Sequence, residues 1–259
     1  MSIFFVFLIG LFIGSFLNVL IDRLPRNEKI TGRSYCESCK KTLTWKDLIP
    51  LLSFIYLRGK CRFCKAELSF QYPLLEIITG VMFAFTLFHL PFTNYHLPFT
   101  VDQILLTIYS LIIVSSFIVI FFADLKYGII PDKIIFPSVL VTLVYLFLNL
   151  NSLILNHMFS AVGAFLFFLG IFLLTRGKGM GFGDVKLSFL LGLVLGFPGV
   201  ALALYIAFLT GGFIGIILIL WKKKSLKLAV PFGPFLIAGT LISLFFSENI
   251  IPRISSLFF

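Results

Sequence analysis

Eight apolar runs govern what this chain can become, at roughly 3–21, 73–90, 104–123, 134–150, 158–175, 187–197, 200–220 and 233–250. About 20 apolar residues match the hydrocarbon thickness of a bilayer, where a helix satisfies its own backbone hydrogen bonds. The pattern predicts an all-α polytopic membrane protein with about eight transmembrane helices. At 59% hydrophobic residues over 259 positions, the chain holds far more apolar side chain than a soluble core of that size takes up. Its 34 phenylalanines suit lipid-facing helices and carry no chemical message.

The net charge of +10 raises nucleic acid as a partner, and the distribution of the charge dismisses it. Eleven of the 21 basic residues fall in 22–72. Others flank apolar junctions at Lys126 and Lys133, at Arg176, Lys178 and Lys186, and at Lys222, Lys223, Lys224 and Lys227. Eight crossings place both termini on one side. With residue 1 outside, every basic residue except Arg253 faces the cytoplasm, as the positive-inside rule asks. The lipid bilayer is the partner, with the N-terminus expected outside. The segment 187–220 is short for two crossings, and Phe197-Pro198-Gly199 reads as the turn between two short helices. The first of these is expected to start right after Asp184. The first apolar run has its charges after it and no small-residue cleavage site, so it reads as an uncleaved anchor. Gly14, Ser15 and Asn18 within it read as helix-packing contacts.

Residues 22–72 are the one sizeable polar insert, between the first two helices, and contain all four cysteines. Cys36-Glu-Ser-Cys39 and Cys61-Arg-Phe-Cys64 are two Cys-x2-Cys knuckles. Four such thiolates suit tetrahedral zinc, and nearby cations favour their deprotonation. Two disulfides are the alternative, which a reducing cytoplasm opposes. A four-cysteine site is closed, so zinc here folds an insert too small to bury its own core.

Two acids stand at the ends of apolar runs, in Phe122-Ala123-Asp124 and in Gly181-Phe182-Gly183-Asp184. Charge at the edge of hydrocarbon is costly and points to function. Asp184 also reads as a helix N-cap, Asp124 as an interfacial charge beside Lys126, and Asp132, after Pro131, as a helix start. If the fold brings Asp124 and Asp184 together, they form a carboxylate pair that shares one proton. Such a pair activates water against a peptide carbonyl. His89, His96 and His157 fall on the outer side and are read as polar residues near outer loops. No residue is assigned to a nucleotide cofactor, because no strand-linked glycine fingerprint is present.

Taken together, these residues resemble the bacterial type IV prepilin peptidases. The likeness runs from Gly14-Ser15-Phe16-Leu17-Asn18 through the tetracysteine insert, with Trp45 to Ser53 and Tyr72-Pro73-x2-Glu76. It continues through Asp124, Ile130-Pro131-Asp132, Gly181-x-Gly183-Asp184 and Pro231-Phe232-Gly233-Pro234-Phe235. The resemblance implies catalytic Asp124 and Asp184 in a GxGD aspartyl protease that cuts basic leaders from prepilins and pseudopilins on the cytoplasmic side. It also implies N-methylation of the new N-terminal residue, usually Phe, with S-adenosylmethionine as donor, a step linked to the cysteine insert. The expected organisation is a first helix at 1–21, the zinc insert at 22–72 and a peptidase core at 73–259. Two rivals remain. One is a presenilin-like intramembrane aspartyl protease, which lacks a tetracysteine insert. The other is a non-enzymatic transport or secretion scaffold, in which the acids are caps or ion-path residues. Neither the client prepilins, the pathway they serve (pilus, secretion or competence), nor the oligomeric state is written in the sequence.

Overall fold

The computed structural model describes residues 3–89, 100–149, 154–220 and 230–258, so His96 and Lys222 to Lys227 lie outside the described residues. Every described element is helical apart from two isolated β-bridges. Chain order is α1 (Ile3–Arg23), a 3-10 turn (Trp45–Leu48), α2 (Leu52–Tyr56), α3 (Gln71–His89) and α4 (Val101–Tyr127). Then come α5 (Asp132–Leu148), α6 (Ile154–Leu174), α7 (Phe182–Leu195), α8 (Gly199–Leu220) and α9 (Gly233–Phe258). The eight apolar runs thus each become a helix. Five of these, α1, α3, α4, α6 and α8, are long and apolar enough to cross a membrane. Of the others, α5 has 17 residues, α7 has 14, and α9, with 26, is apolar only over Gly233–Ser247.

Two compact units divide the chain, Met1–Val119 and Ile120–Phe259. In the first, α1 lies along α3 through small residues, which let two backbones approach where no hydrophobic effect drives helices together. A Cβ on Gly10 would sit 2.7 Å from Gly80 Cα, and one on Gly14 would sit 2.8 Å from Glu76 Cα. Asn18 adds a polar clasp, donating Nδ2 to the carbonyls of Gly14 (3.3 Å) and Tyr72 (3.2 Å). The packing role read for Gly14 and Asn18 is what the helices display.

In the second unit α7 is the hub. It packs against α5, α6, α8 and α9 and is buried along most of its length. At Gly192 it meets α6 so closely that a Cβ would fall 2.6 Å from Ala161 Cα. Its far end is tied by His157 Nδ1, 2.9 Å from the Leu193 carbonyl, and by Asn156, which bonds both the N–H and the carbonyl of Phe197. The turn expected at Phe197-Pro198-Gly199 is the α7–α8 connection. Residues 187–220 therefore do split into two helices.

Candidate functional site

The insert is built from two matching knuckles. In the first, Cys36 N–H donates to Lys41 O and Lys40 N–H to Cys36 O; in the second, Cys61 N–H donates to Ala66 O and Lys65 N–H to Cys61 O. Lys40 and Lys65, each four residues past the leading cysteine, both take the left-handed conformation (φ 57° and 61°) that closes the loop. All four Sγ atoms lie within 4.8 Å of one another, and none of the cysteines is in a disulfide. Cys36 and Cys64 are separated by 3.9 Å, close to the ~3.8 Å edge of a tetrahedron with metal–sulfur bonds of about 2.3 Å. Backbone N–H groups of Cys64 and Phe63 lower the Cys61 thiol to about 6, so it meets a metal as a thiolate. The cluster can hold a metal ion.

The linkage between the knuckles is fixed by Asp47. Burial opposes its charge. The Thr44 hydroxyl, the Arg62 guanidinium and the Thr44 N–H nevertheless hold its carboxyl below the usual range. At the base of the insert, the buried Arg23 guanidinium donates to the carbonyls of Lys29, Ile30 and Arg33. Glu76, buried in α3, accepts the N–H of Leu51 at 2.9 Å and so holds the far side of the insert.

In the second unit, α4 runs through Asp124 and ends at Gly128, whose positive φ (65°) and N–H bond to Asp124 O terminate the helix. Asp124 is 5% exposed, and its Oδ2 accepts the N–H of Gly233 at 3.0 Å. Gly233 opens α9, so this N–H has no intrahelical partner, and the helix end favours an anion. Asp184 is 7% exposed and interacts electrostatically with Asp124. One side chain registers how near the segments are. A Cβ on Gly183 would stand 3.1 Å from Ile130 Cβ, and one on Gly233 would stand 3.3 Å from Ile130 Cδ1.

The helix start read at Asp132 holds, since α5 begins there, whereas the reading of Asp184 requires correction. Asp184 is not the N-cap and α7 does not start after it: the helix starts at Phe182, Gly181 is the N-cap, and Asp184 occupies the third helical position. From there its carboxyl reaches back to the Gly181 N–H, the acidic half of a capping box. Asp132 is the first residue of α5 and not its cap. Pro131 is the N-cap, and the Asp132 carboxylate pairs with Lys186 Nζ, joining the first turns of α5 and α7. Sequence reasoning missed the role of Gly233. Its signal was the run Pro231-Phe232-Gly233-Pro234, a proline and a glycine at a helix start.

Two buried carboxyls that interact electrostatically, each with one backbone donor, are a candidate for a pair that shares a proton. His89 sits exposed in the last turn of α3, 3.3 Å from Phe85 O, and His157 is occupied by Leu193 O.

Comparison with known proteins is consistent along the chain. The Bacterial Peptidase A24 N-terminal domain matches residues 8–90, and the Type IV leader peptidase family matches residues 111–216. A protein of Bacillus subtilis is 32% identical over 97% of this chain and 96% of its own length. One of Aeromonas hydrophila is 31% identical over 95% and 91%, and one of Pseudomonas aeruginosa is 28% identical over 94% and 90%. Each of the three is named prepilin leader peptidase/N-methyltransferase. No solved structure matches.

Proposed function

Because this chain belongs to the type IV leader peptidase family, we propose that it removes the leader from prepilins and pseudopilins and then methylates the N-terminus it has exposed. The buried Asp124–Asp184 pair carries the peptidase half of this reading. One proton is shared between the two carboxyls. The ionised member takes a proton from water as the water attacks the scissile carbonyl, and the protonated member donates to the carbonyl oxygen. The Gly233 N–H holds Asp124 and the Gly181 N–H holds Asp184, so neither has to reorganise during the step. Residues 73–259 act as the peptidase core.

Methylation follows cleavage because its acceptor amine does not exist earlier. The acceptor is the neutral amine, whose reference pKa is about 8. We assign this step to the insert at 22–72, with S-adenosylmethionine as donor. Cys36, Cys39, Cys61 and Cys64 would hold a zinc ion that fixes the fold of the insert. Four sulfurs close the coordination sphere, so the ion binds no substrate. The concentration of Lys and Arg in the insert and at the 126–133 and 176–186 junctions supports an inner-membrane enzyme with its active sites facing the cytoplasm and its N-terminus outside.

The test is to incubate purified protein with a synthetic prepilin segment and S-adenosylmethionine, then weigh the products. Release of the leader, with the mature fragment heavier by one methylene, supports both halves. An intact segment refutes the peptidase half, and an unmethylated mature fragment refutes the transferase half.

A further inference from the structure

Within the Met1–Val119 unit a cavity of about 340 Å³ opens between α1, the start of α3 and the cysteine insert. That volume suits a small metabolite. Its lining sorts charge against the local composition. The insert is strongly basic, yet none of its six lysines lines the cavity. All six carboxylates of the first hundred residues do: Asp22, Glu28, Glu37, Asp47, Glu67 and Glu76. Arg23, Arg26 and Arg62 are the basic residues on the wall, and each already has partners. Arg23 holds three backbone carbonyls, Arg26 pairs with Glu37 at 2.9 Å, and Arg62 pairs with Asp47 at 2.7 Å.

The carboxylates are engaged as well, Glu37 and Asp47 by those arginines, Asp22 by Tyr72 OH at 3.2 Å, Glu28 by Tyr35 OH at 2.8 Å and Glu76 by Leu51 N–H at 2.9 Å. A carboxylate accepts more than one hydrogen bond, so a lining with six of them and three arginines still favours a cation. A second observation points the same way. Asn18, 4% exposed, also lines the cavity, and its Oδ1 has no hydrogen-bond partner although its Nδ2 is doubly used. A buried acceptor left without a donor is costly, and a ligand N–H or O–H would satisfy it. Val19, Leu43, Leu57 and Leu68 give the same cavity an apolar surface for a ring.

We propose that this cavity binds S-adenosylmethionine, with the carboxylates of Asp22, Glu28 and Glu76 facing its sulfonium and ammonium charges. The assignment rests on the methyltransferase reading above and names its donor site. In the transfer, the neutral amine's lone pair forms the N–C bond as the C–S bond breaks. The bonding electrons stay on sulfur, which becomes a neutral thioether, and the positive charge passes to the methylated nitrogen. A wall that binds the sulfonium cation therefore loses that attraction once the methyl group has left. The spent donor, S-adenosylhomocysteine, binds more weakly and departs.

Calorimetric titration of the full-length protein in detergent with S-adenosylmethionine and with S-adenosylhomocysteine tests this. Wild type is expected to bind the sulfonium compound about tenfold more tightly than the thioether. Asp22→Asn and Glu76→Gln each lose about tenfold in affinity for the sulfonium compound and much less for the thioether. Glu28→Gln provides the same reading if Glu76→Gln loosens the insert through Leu51. Asp102→Asn, which removes a carboxylate of the same unit away from the cavity, leaves both affinities unchanged. Equal losses for the two ligands, or no loss in any variant, overturn the assignment even in a protein that methylates. Wild type that cleaves but neither binds the donor nor methylates overturns the methyltransferase reading itself.

Discussion

Gly233→Ala isolates the hydrogen bond on which the position of Asp124 depends. The backbone of Gly233 is not in the left-handed region, so alanine can adopt it and the methyl group is the one change. That methyl would stand 2.6 Å from Asp124 Oδ2 and 3.2 Å from its Cγ, with Ile130 Cδ1 blocking retreat on another side at 3.3 Å. Normal carbon contacts of about 3.5 Å require the carboxyl oxygen to move roughly 1 Å. The present 3.0 Å bond from Gly233 N–H then stretches beyond hydrogen-bonding range. Losing a bond to a charged acceptor costs about 1.5–3 kcal/mol. A misplacement of about 1 Å at a reacting group costs on the order of 10²-fold in rate. We therefore expect kcat/KM for prepilin cleavage to fall about 10²-fold, measured by chromatography of the leader product. Gly163→Ala is the control, because a Cβ there meets nothing within 4 Å. Wild-type rates in Gly233→Ala, or an equal loss in Gly163→Ala, would refute the reasoning.

Three further outcomes are expected. Cys36→Ser and Cys61→Ser should each lower the metal-to-protein ratio measured by atomic emission and impair methylation more than cleavage; full methylation by metal-free protein would break that link. Because the folded Cys61 thiol is held near 6, below its ordinary value, the stabilisation this gives is complete only above the ordinary thiol range and is lost as pH falls through about 6. Metal retained after dialysis should therefore drop across that range, whereas retention unchanged down to about pH 4 would contradict the assignment. Asp132→Ala removes an ion pair in which the Asp132 side chain is 51% exposed, so it should cost no more than about 1 kcal/mol in thermal denaturation and leave partial cleavage activity. Complete loss of cleavage would give Asp132 a chemical role.

Much of the fold was legible because membrane helices are written as continuous apolar runs, and all eight runs appear as helices. The ends were not, since the rule that charge ends a run ignores partners found elsewhere in the chain. The α4 helix continues past Asp124 because Gly233, 109 residues away, donates to that carboxyl. Likewise α7 begins at Phe182, inside what reads as a glycine loop, because Asp184 folds back on Gly181 and Lys186 finds Asp132. The four cysteines could be grouped from spacing alone, whereas the left-handed turns at Lys40 and Lys65 that shape both knuckles could not. The acidic cavity was hidden for a different reason: its six carboxylates are dispersed among eleven basic neighbours and segregate only when the insert folds.

Single-turnover cleavage of one prepilin segment by the wild type, Asp124→Asn and Asp184→Asn puts the shared-proton chemistry to its most direct trial. Each asparagine keeps the shape of the carboxyl and its capacity to accept a backbone N–H, but can neither take nor give the proton. The account predicts that both variants bind the segment as tightly as wild type and fail to cut it. Cleavage at near wild-type rate by either variant would contradict it.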